Sequence, residues 1–354
     1  MAADPIKAPF VWFGGKRRVA AEVWQALGDV DNYVEPFAGS LAVLLGRPAW
    51  HTGEVETVND ADAYLCNAWR ALAADPDEVA YYADWPVNET DLMARHLWLV
   101  AQGRKRIESM EADPEFYDAK VAGWWLWGIN CWIGGGWCAG RGPWQVVNGA
   151  VVLTKEQGGQ WRQRPHLGTG GQGVNRKRPH LGNGGRGVNR QRPHLGDGGR
   201  DKPGKETNVD DLTAYFRILA ERLRRVRVCC GDWTRVVTKG ALVYGNFVGV
   251  FFDPPYQGDV RTRDLYRVDD HEISSSVRTW CLAHGDDPRL RIVLAGYEEE
   301  HKAFLPPTWR QYRYSAGACY QTHAGGGHNA QNRHKECLWF SPHCILDAAP
   351  LFAE

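Results

Sequence analysis

No stretch of this 354-residue chain approaches the ~20 consecutive apolar residues of a membrane-spanning helix, so no membrane partner is expected. The opening residues, Met1-Ala2-Ala3-Asp4-Pro5, lack the basic-then-apolar layout of a secretory leader. Nine cysteines occur without a single C-x-x-C pair. Cys229 and Cys230 are adjacent, a poor geometry for bonding each other or for sharing a zinc ion. An odd number of thiols without a framework reads as reduced and intracellular. His323 and His328 sit in a Gly-rich stretch with no matching Cys or acid cluster, so no metal site is expected. The phosphate-binding pattern G-x-x-x-x-G-K-[ST] is also missing.

Net charge is zero, which taken alone argues against a nucleic-acid partner. Its distribution argues the other way. Between Trp161 and Arg200 lie nine basic residues (Arg162, Arg164, Arg176, Lys177, Arg178, Arg186, Arg190, Arg192 and Arg200) and one acid, Asp197. Local charge governs phosphate binding, so this segment is the basic footprint of the chain. It is also an internal repeat of period 14. Gln163-Arg164-Pro165-His166-Leu167-Gly168 returns as Lys177-Arg178-Pro179-His180-Leu181-Gly182 and as Gln191-Arg192-Pro193-His194-Leu195-Gly196. Each unit brings one or two aliphatic residues, too few to bury a core. Two readings follow: a passive duplicated loop, or a basic arm following a nucleic-acid backbone, with Arg164, Arg178 and Arg192 as contacts.

Strand and helix patterns alternate at both ends of the chain. Gly14 to Leu27 reads as a loop entering an amphipathic helix, Asn32 to Pro36 as a strand, Gly39 to Gly46 as a helix, and Glu54 to Asn59 as a strand closed by Asp60. Helical patterns dominate from Ala61 to about Trp132, with breaks near Asp75-Pro76, Asn88 and Asp113-Pro114. Asp210 to Arg225 and Val277 to His284 read as helices. Val226–Cys230, Val248–Phe252 and Leu290–Leu294 read as buried strands. The sum is an α/β sheet interrupted by a long helical and Gly-rich insertion. Trp124 and Trp127 are expected in the core. The stretch Gly134 to Trp144, with Arg141, is the better candidate to face a nucleic acid.

The most informative residues are Asp253-Pro254-Pro255-Tyr256, which follow the apolar run Phe247 to Phe252. A carboxylate, two rigid prolines and a ring at a strand end suit a planar nucleobase bearing an amino group. Asp253 accepts an exocyclic N–H, the prolines leave carbonyls free because they carry no N–H, and Tyr256 stacks. A strand-terminating turn with a capping Asp is the plainer alternative. Two upstream segments add weight: Glu35-Pro36-Phe37-Ala38-Gly39-Ser40 between a strand and a helix, and Trp12-Phe13-Gly14-Gly15-Lys16 near the N-terminus. Asp60 lies about 25 residues after Glu35, the offset at which dinucleotide-binding folds place a ribose-binding acid. Asp62 competes for that role, and either also suits a helix cap.

Taken in order, these three motifs resemble the AdoMet-dependent DNA adenine-N6 methyltransferases, in the subgroup whose Trp-x-Gly-Gly-Lys element comes first. The resemblance covers roughly residues 7–75 and 226–345 and implies a Rossmann-like AdoMet methyltransferase sheet with a mainly helical inserted recognition domain. It divides the chain into 1–65 and 226–354 as the two parts of a catalytic domain, with 66–225 as the target-recognition insertion. It implies AdoMet as cofactor and adenine N6 in double-stranded DNA as acceptor, reached by base flipping. Asp253, Pro254, Pro255 and Tyr256 then form the catalytic set. Trp12, Lys16, Glu35, Pro36, Phe37, Gly39 and Asp60 border the cofactor, and Asp232, after the Val226–Cys230 strand, accepts from its adenine amino group. The expected setting is the DNA of a bacterial or phage-infected cell's cytoplasm, within restriction–modification, phage or epigenetic methylation. The sequence does not determine whether a partner restriction endonuclease exists. The same amine geometry also suits cytosine N4, RNA or a protein amide. From a different class, a catalytically silent DNA-binding protein is the remaining alternative.

Overall fold

Apolar residues alternate along the central strands, and the alternation sorts them onto two faces of one sheet. Tyr33, Phe251, Val293, Ala295, Leu338 and Phe340 enter one buried cluster. Val34, Val248, Val250, Phe252, Ile292, Leu294, Cys337 and Trp339 enter another. The computed structural model describes residues 6–345 apart from 11, 13, 50, 133–136, 139–143, 148–149, 154–211, 256–269 and 315–335.

Among the described residues, seven strands form this sheet: β1 (Asn32–Glu35), β2 (Val55–Asp60), β5 (Val226–Cys230), β6 (Val248–Phe252), β7 (Leu290–Tyr297), β8 (Arg310–Arg313) and β9 (Glu336–Phe340). A separate antiparallel hairpin joins β3 (Trp144–Val147) to β4 (Ala150–Leu153). The sheet order is β5-β2-β1-β6-β7-β9-β8. The first five strands in that order pair in parallel, and β9 runs antiparallel between β7 and β8. From β1 the chain moves outward through β2 to β5, then returns to the other side of β1 as β6. The order therefore reverses between β1 and β6, the place where open α/β sheets hold ligands beyond their strand ends.

Helices cover both faces. Ala20–Leu27 contributes Val23, Trp24 and Leu27 to the Tyr33 cluster. The helices between β2 and β5 share that same core rather than enclosing one of their own. Leu65 and Trp69, Val79, Trp125 and Leu126, and Phe216 and Leu219 all belong to it. On the other face, Asp270–His284 contributes Val277 and Cys281 to the cluster that holds Val250 and Ile292. Most of the helix punctuation read from the sequence is present. Asp75 caps Pro76–Ala83 by accepting from the Glu78 N–H. Asn88 caps Glu89–Trp98 by accepting from the N–H groups of Thr90 and Asp91.

Several bounds differ from the sequence reading. The helix expected over Gly39 to Gly46 is confined to Ala42–Leu45, because Gly39 and Leu41 take left-handed φ of 47° and 55°. The loop expected from Gly14 is present and enters the helix Ala20–Leu27 through a tight turn at Arg17–Val19. β7 extends to Tyr297 because β9 pairs along its far half, and neither β8 nor β9 was legible beforehand. No helix among the described residues is long and apolar enough to cross a membrane.

Candidate active site

Parallel pairing puts the ends of β1 and β6 side by side, so Glu35 and Asp253 emerge together at the switch point. Glu35 is 2% exposed and accepts a hydrogen bond from the Tyr33 hydroxyl at 2.9 Å. Burial pushes its carboxyl up to about 8. The Tyr33 bond opposes that rise, and the negative charge of Asp253 adds to it. Pro254 and Pro255 are buried behind Asp253.

Lys16 ties the N-terminal motif to this pair. Its ammonium lies 3.0 Å from Asp253 Oδ1, donates to the Gly14 carbonyl at 2.7 Å, and stands 3.8 Å from Glu336 Oε2. Glu336 in turn accepts from the Tyr314 hydroxyl at 2.7 Å. Lys16 is 4% exposed, so it is no solvated helix start. A buried ammonium requires anions, and two carboxylates supply them. Residues from opposite ends of the chain thus meet around one cation.

The turn after β1 is held from β2. Asp60 is buried, and its two oxygens accept from the Gly39 and Asp62 N–H groups, each at 3.0 Å. Burial pushes its carboxyl up to about 6, and these backbone bonds oppose the rise. Asp62 is the helix cap, accepting from the Tyr64 and Leu65 N–H groups. Gly39 has no room for a side chain, since a Cβ there would stand 2.9 Å from the Trp12 ring. Its carbonyl accepts from Trp69 Nε1 at 3.0 Å. Trp12 is half-buried and lies edge-on to Phe10, with centroids 5.9 Å apart. Phe37 faces Trp233 at 6.1 Å, and Trp233 meets Phe252 at 5.9 Å.

Asn59, which sequence reading passed over, laces three strand ends together. Its side-chain amide donates to the Pro36 carbonyl at 3.1 Å and to the Gly231 carbonyl at 3.0 Å. The Gly231 N–H donates to the Asp60 carbonyl at 2.9 Å. Asp232 follows, exposed, and caps Trp233–Val236 by accepting from the Thr234 N–H at 2.9 Å. Glu336, Tyr314 and Trp233 also escaped the sequence reading. The available signal for Asn59 was its position beside Asp60 at a strand end. Glu336 carried none, because β9 was not recognised.

Structure thus brings Lys16, Glu35 and Asp253 together, and lines Trp12, Pro36, Phe37, Gly39, Asp60 and Asp232 along neighbouring strand ends. Tyr256, Arg141, Arg164, Arg178 and Arg192 lie outside the described residues. Trp127 is fully buried as expected, while Trp124 is half-buried and turns its face toward Arg95 and Lys120. Among the described residues no group of His, Cys, Asp and Glu is arranged to hold a metal ion.

A mostly parallel sheet covered on both faces, with carboxylates converging at its switch point, defines an α/β protein of the open-sheet kind, in which ligands sit beyond the strand ends at that point. Residues 12–111 match the family model of the D12 class N6 adenine-specific DNA methyltransferases. The match includes Trp12, Lys16, Glu35, Pro36, Phe37, Gly39 and Asp60 and ends before Asp232 and Asp253. No curated protein matched the chain.

Proposed function

We propose that the protein transfers the methyl group of AdoMet to the N6 amino group of adenine in double-stranded DNA. The observation that carries this reading is the meeting of Lys16, Glu35 and Asp253 at the switch point, within a chain whose residues 12–111 match an adenine-methyltransferase family. The crevice residues fit a cationic nucleoside cofactor. Among the described residues there, Asp253 and Glu35 outnumber the ammonium of Lys16, and Glu35, protonated in the free protein, can ionise when a sulfonium and an α-ammonium arrive. Asp60 and Asp232, at the ends of β2 and β5, offer acceptors for ribose hydroxyls and an adenine amino group. Phe37, Pro36 and Trp12 supply apolar walls.

When bound, AdoMet supplies a sulfonium methyl group open to in-line displacement. Asp253 accepts from one N6–H of the acceptor base, the Pro254 carbonyl from the other, and Lys16 fixes the carboxylate's orientation. Tyr256 stacks on the base, an interaction worth ~1–3 kcal/mol. Such positioning lowers the barrier because the N6 lone pair is otherwise delocalised into the ring. The base leaves the duplex first, since N6 is unreachable in the stack. Segment 66–225 is the recognition insertion in this reading. The Ala63–Cys131 stretch carries eleven acids against six bases, so the phosphate contacts belong to the basic Trp161–Arg200 segment. A restriction–modification or phage setting in the cytoplasm suits such an enzyme.

Purified protein, labelled AdoMet and separate acceptors test this directly. Label is expected in N6-methyladenine of duplex DNA. Label in cytosine N4, RNA or protein instead would replace the acceptor, and DNA binding without any transfer would make the chain a silent DNA-binding protein.

A further inference from the structure

Glu336 begins β9, far from the three motifs in sequence, yet its carboxylate reaches the same ammonium that holds Asp253. The Gly14 carbonyl at 2.7 Å, Asp253 at 3.0 Å and Glu336 at 3.8 Å surround Lys16 Nζ. Glu336 is itself fixed. Its main chain is paired with Tyr297 at the end of β7, and its Oε2 takes the Tyr314 hydroxyl at 2.7 Å. Tyr314 follows β8 and its N–H donates to the Glu336 carbonyl at 3.3 Å. The two C-terminal strands of the sheet therefore deliver an anchored anion to the site from the β7 side.

A Lys ammonium is a compact charge on a flexible stem and settles where the surrounding anions draw it. With Asp253 as the dominant anion, the ammonium would close on that carboxylate and occupy the oxygens that an acceptor amine needs. A second anchored carboxylate divides the attraction. It keeps Lys16 in contact with Asp253 while drawing it toward β9.

We propose that Glu336 is a positioning residue for methyl transfer, sharing the Lys16 ammonium with Asp253 and so setting the orientation in which Asp253 meets the acceptor amine. This rests on the methyltransferase reading above. Glu336 touches neither acceptor nor cofactor in this account, and its effect runs through Lys16.

The test is Glu336→Gln, which keeps volume and an acceptor for Tyr314 but removes the charge. Turnover on duplex DNA is expected to fall about tenfold, below the ~10²-fold loss attached to a 1 Å misplacement. AdoMet affinity by calorimetry and the thermal midpoint should change little. Tyr314→Phe should give a smaller loss in the same direction. The decisive arm is the Lys16→Met background, where Glu336→Gln should bring no further loss, because the intermediary is gone. An equal loss with and without Lys16 makes Glu336 merely structural and overturns the inference, as does wild-type turnover in Glu336→Gln. No methyl transfer by the wild-type chain overturns both this inference and the function it rests on. Transfer by the wild type with either contrary result overturns this inference alone.

Discussion

Replacing Glu35 by Gln should stabilise the free protein, and more so as pH rises. Glu35 carries a carboxyl raised from 4.5 to about 8, chiefly by burial, with the charges of Asp253 and Glu56 adding to it. The Tyr33 hydroxyl and the Leu44 N–H act against the rise. In the unfolded chain the group ionises near 4.5, so between about 4.5 and 8 the folded protein holds a proton that the unfolded chain has released. Stability must fall with pH across that window. At about 1.4 kcal/mol per pH unit, the penalty grows by about 3 kcal/mol between pH 5 and pH 8. Gln is neutral at both values and removes the pH-dependent part. For a chain of this length that corresponds to about 4 °C more gain in melting temperature at pH 8 than at pH 5. Thermal unfolding followed by circular dichroism at the two pH values reads it. A change of the same size at both, or a loss confined to pH 8, would mean that Glu35 is ionised in the fold and would refute the reasoning. The same variant should bind AdoMet more weakly, since Gln cannot release a proton to become the anion that a bound cation favours.

Asp60→Ala should destabilise the fold as well as weaken AdoMet binding, because the Gly39 and Asp62 N–H groups lose their acceptor, at ~1–3 kcal/mol for each buried group left unpaired. Urea unfolding and cofactor titration would separate the two effects, and an unchanged unfolding midpoint would deny Asp60 its hold on the turn. Gly39→Ala should destabilise by ~1–3 kcal/mol, since the new methyl meets the Trp12 ring at 2.9 Å and the left-handed φ of 47° disfavours a side chain. A neutral effect in the melting curve would show that Trp12 yields freely. Deleting Lys177 to Arg190 removes four basic residues, and DNA affinity should fall, with the salt slope flattening by ~0.9 for each phosphate that the shortened arm no longer neutralises. Sequence preference should persist, and normal affinity with a normal slope would leave the repeat a passive loop.

The parallel half of the sheet was legible where short β-branched and apolar runs stand between turn signals, fully buried in β6 and only partly buried in the edge strand β5. Val226–Cys230 and Val248–Phe252 have the bounds expected from the sequence. β8 was not legible, since Arg310-Gln311-Tyr312-Arg313 is an edge strand with little apolar content. β9 was missed although Cys337 to Phe340 is apolar, because its identity depends on pairing with β7 over a long connection. The site was legible to the extent that it is built from local motifs. Lys16, Glu35, Gly39 and Asp253 announce themselves by their neighbours in sequence. Asn59 and Glu336 do not, because their roles come from interactions with Pro36, Gly231 and Lys16 that only the folded sheet creates. The duty of Asp60 was half seen. Its strand-end position was expected, and its grip on the Gly39 N–H was not.

The central claim is that Asp253 presents an adenine amine for methylation. The most direct measurement is N6-methyladenine in DNA from cells expressing the wild-type chain or Asp253→Ala, by digestion, mass spectrometry and mapping of modified positions. The account predicts N6-methyladenine at defined sites with the wild type and background levels with Asp253→Ala, while that variant stays folded and keeps most of its AdoMet affinity. Equal N6-methyladenine in both, or none with a folded wild-type protein that binds DNA and AdoMet, would contradict it.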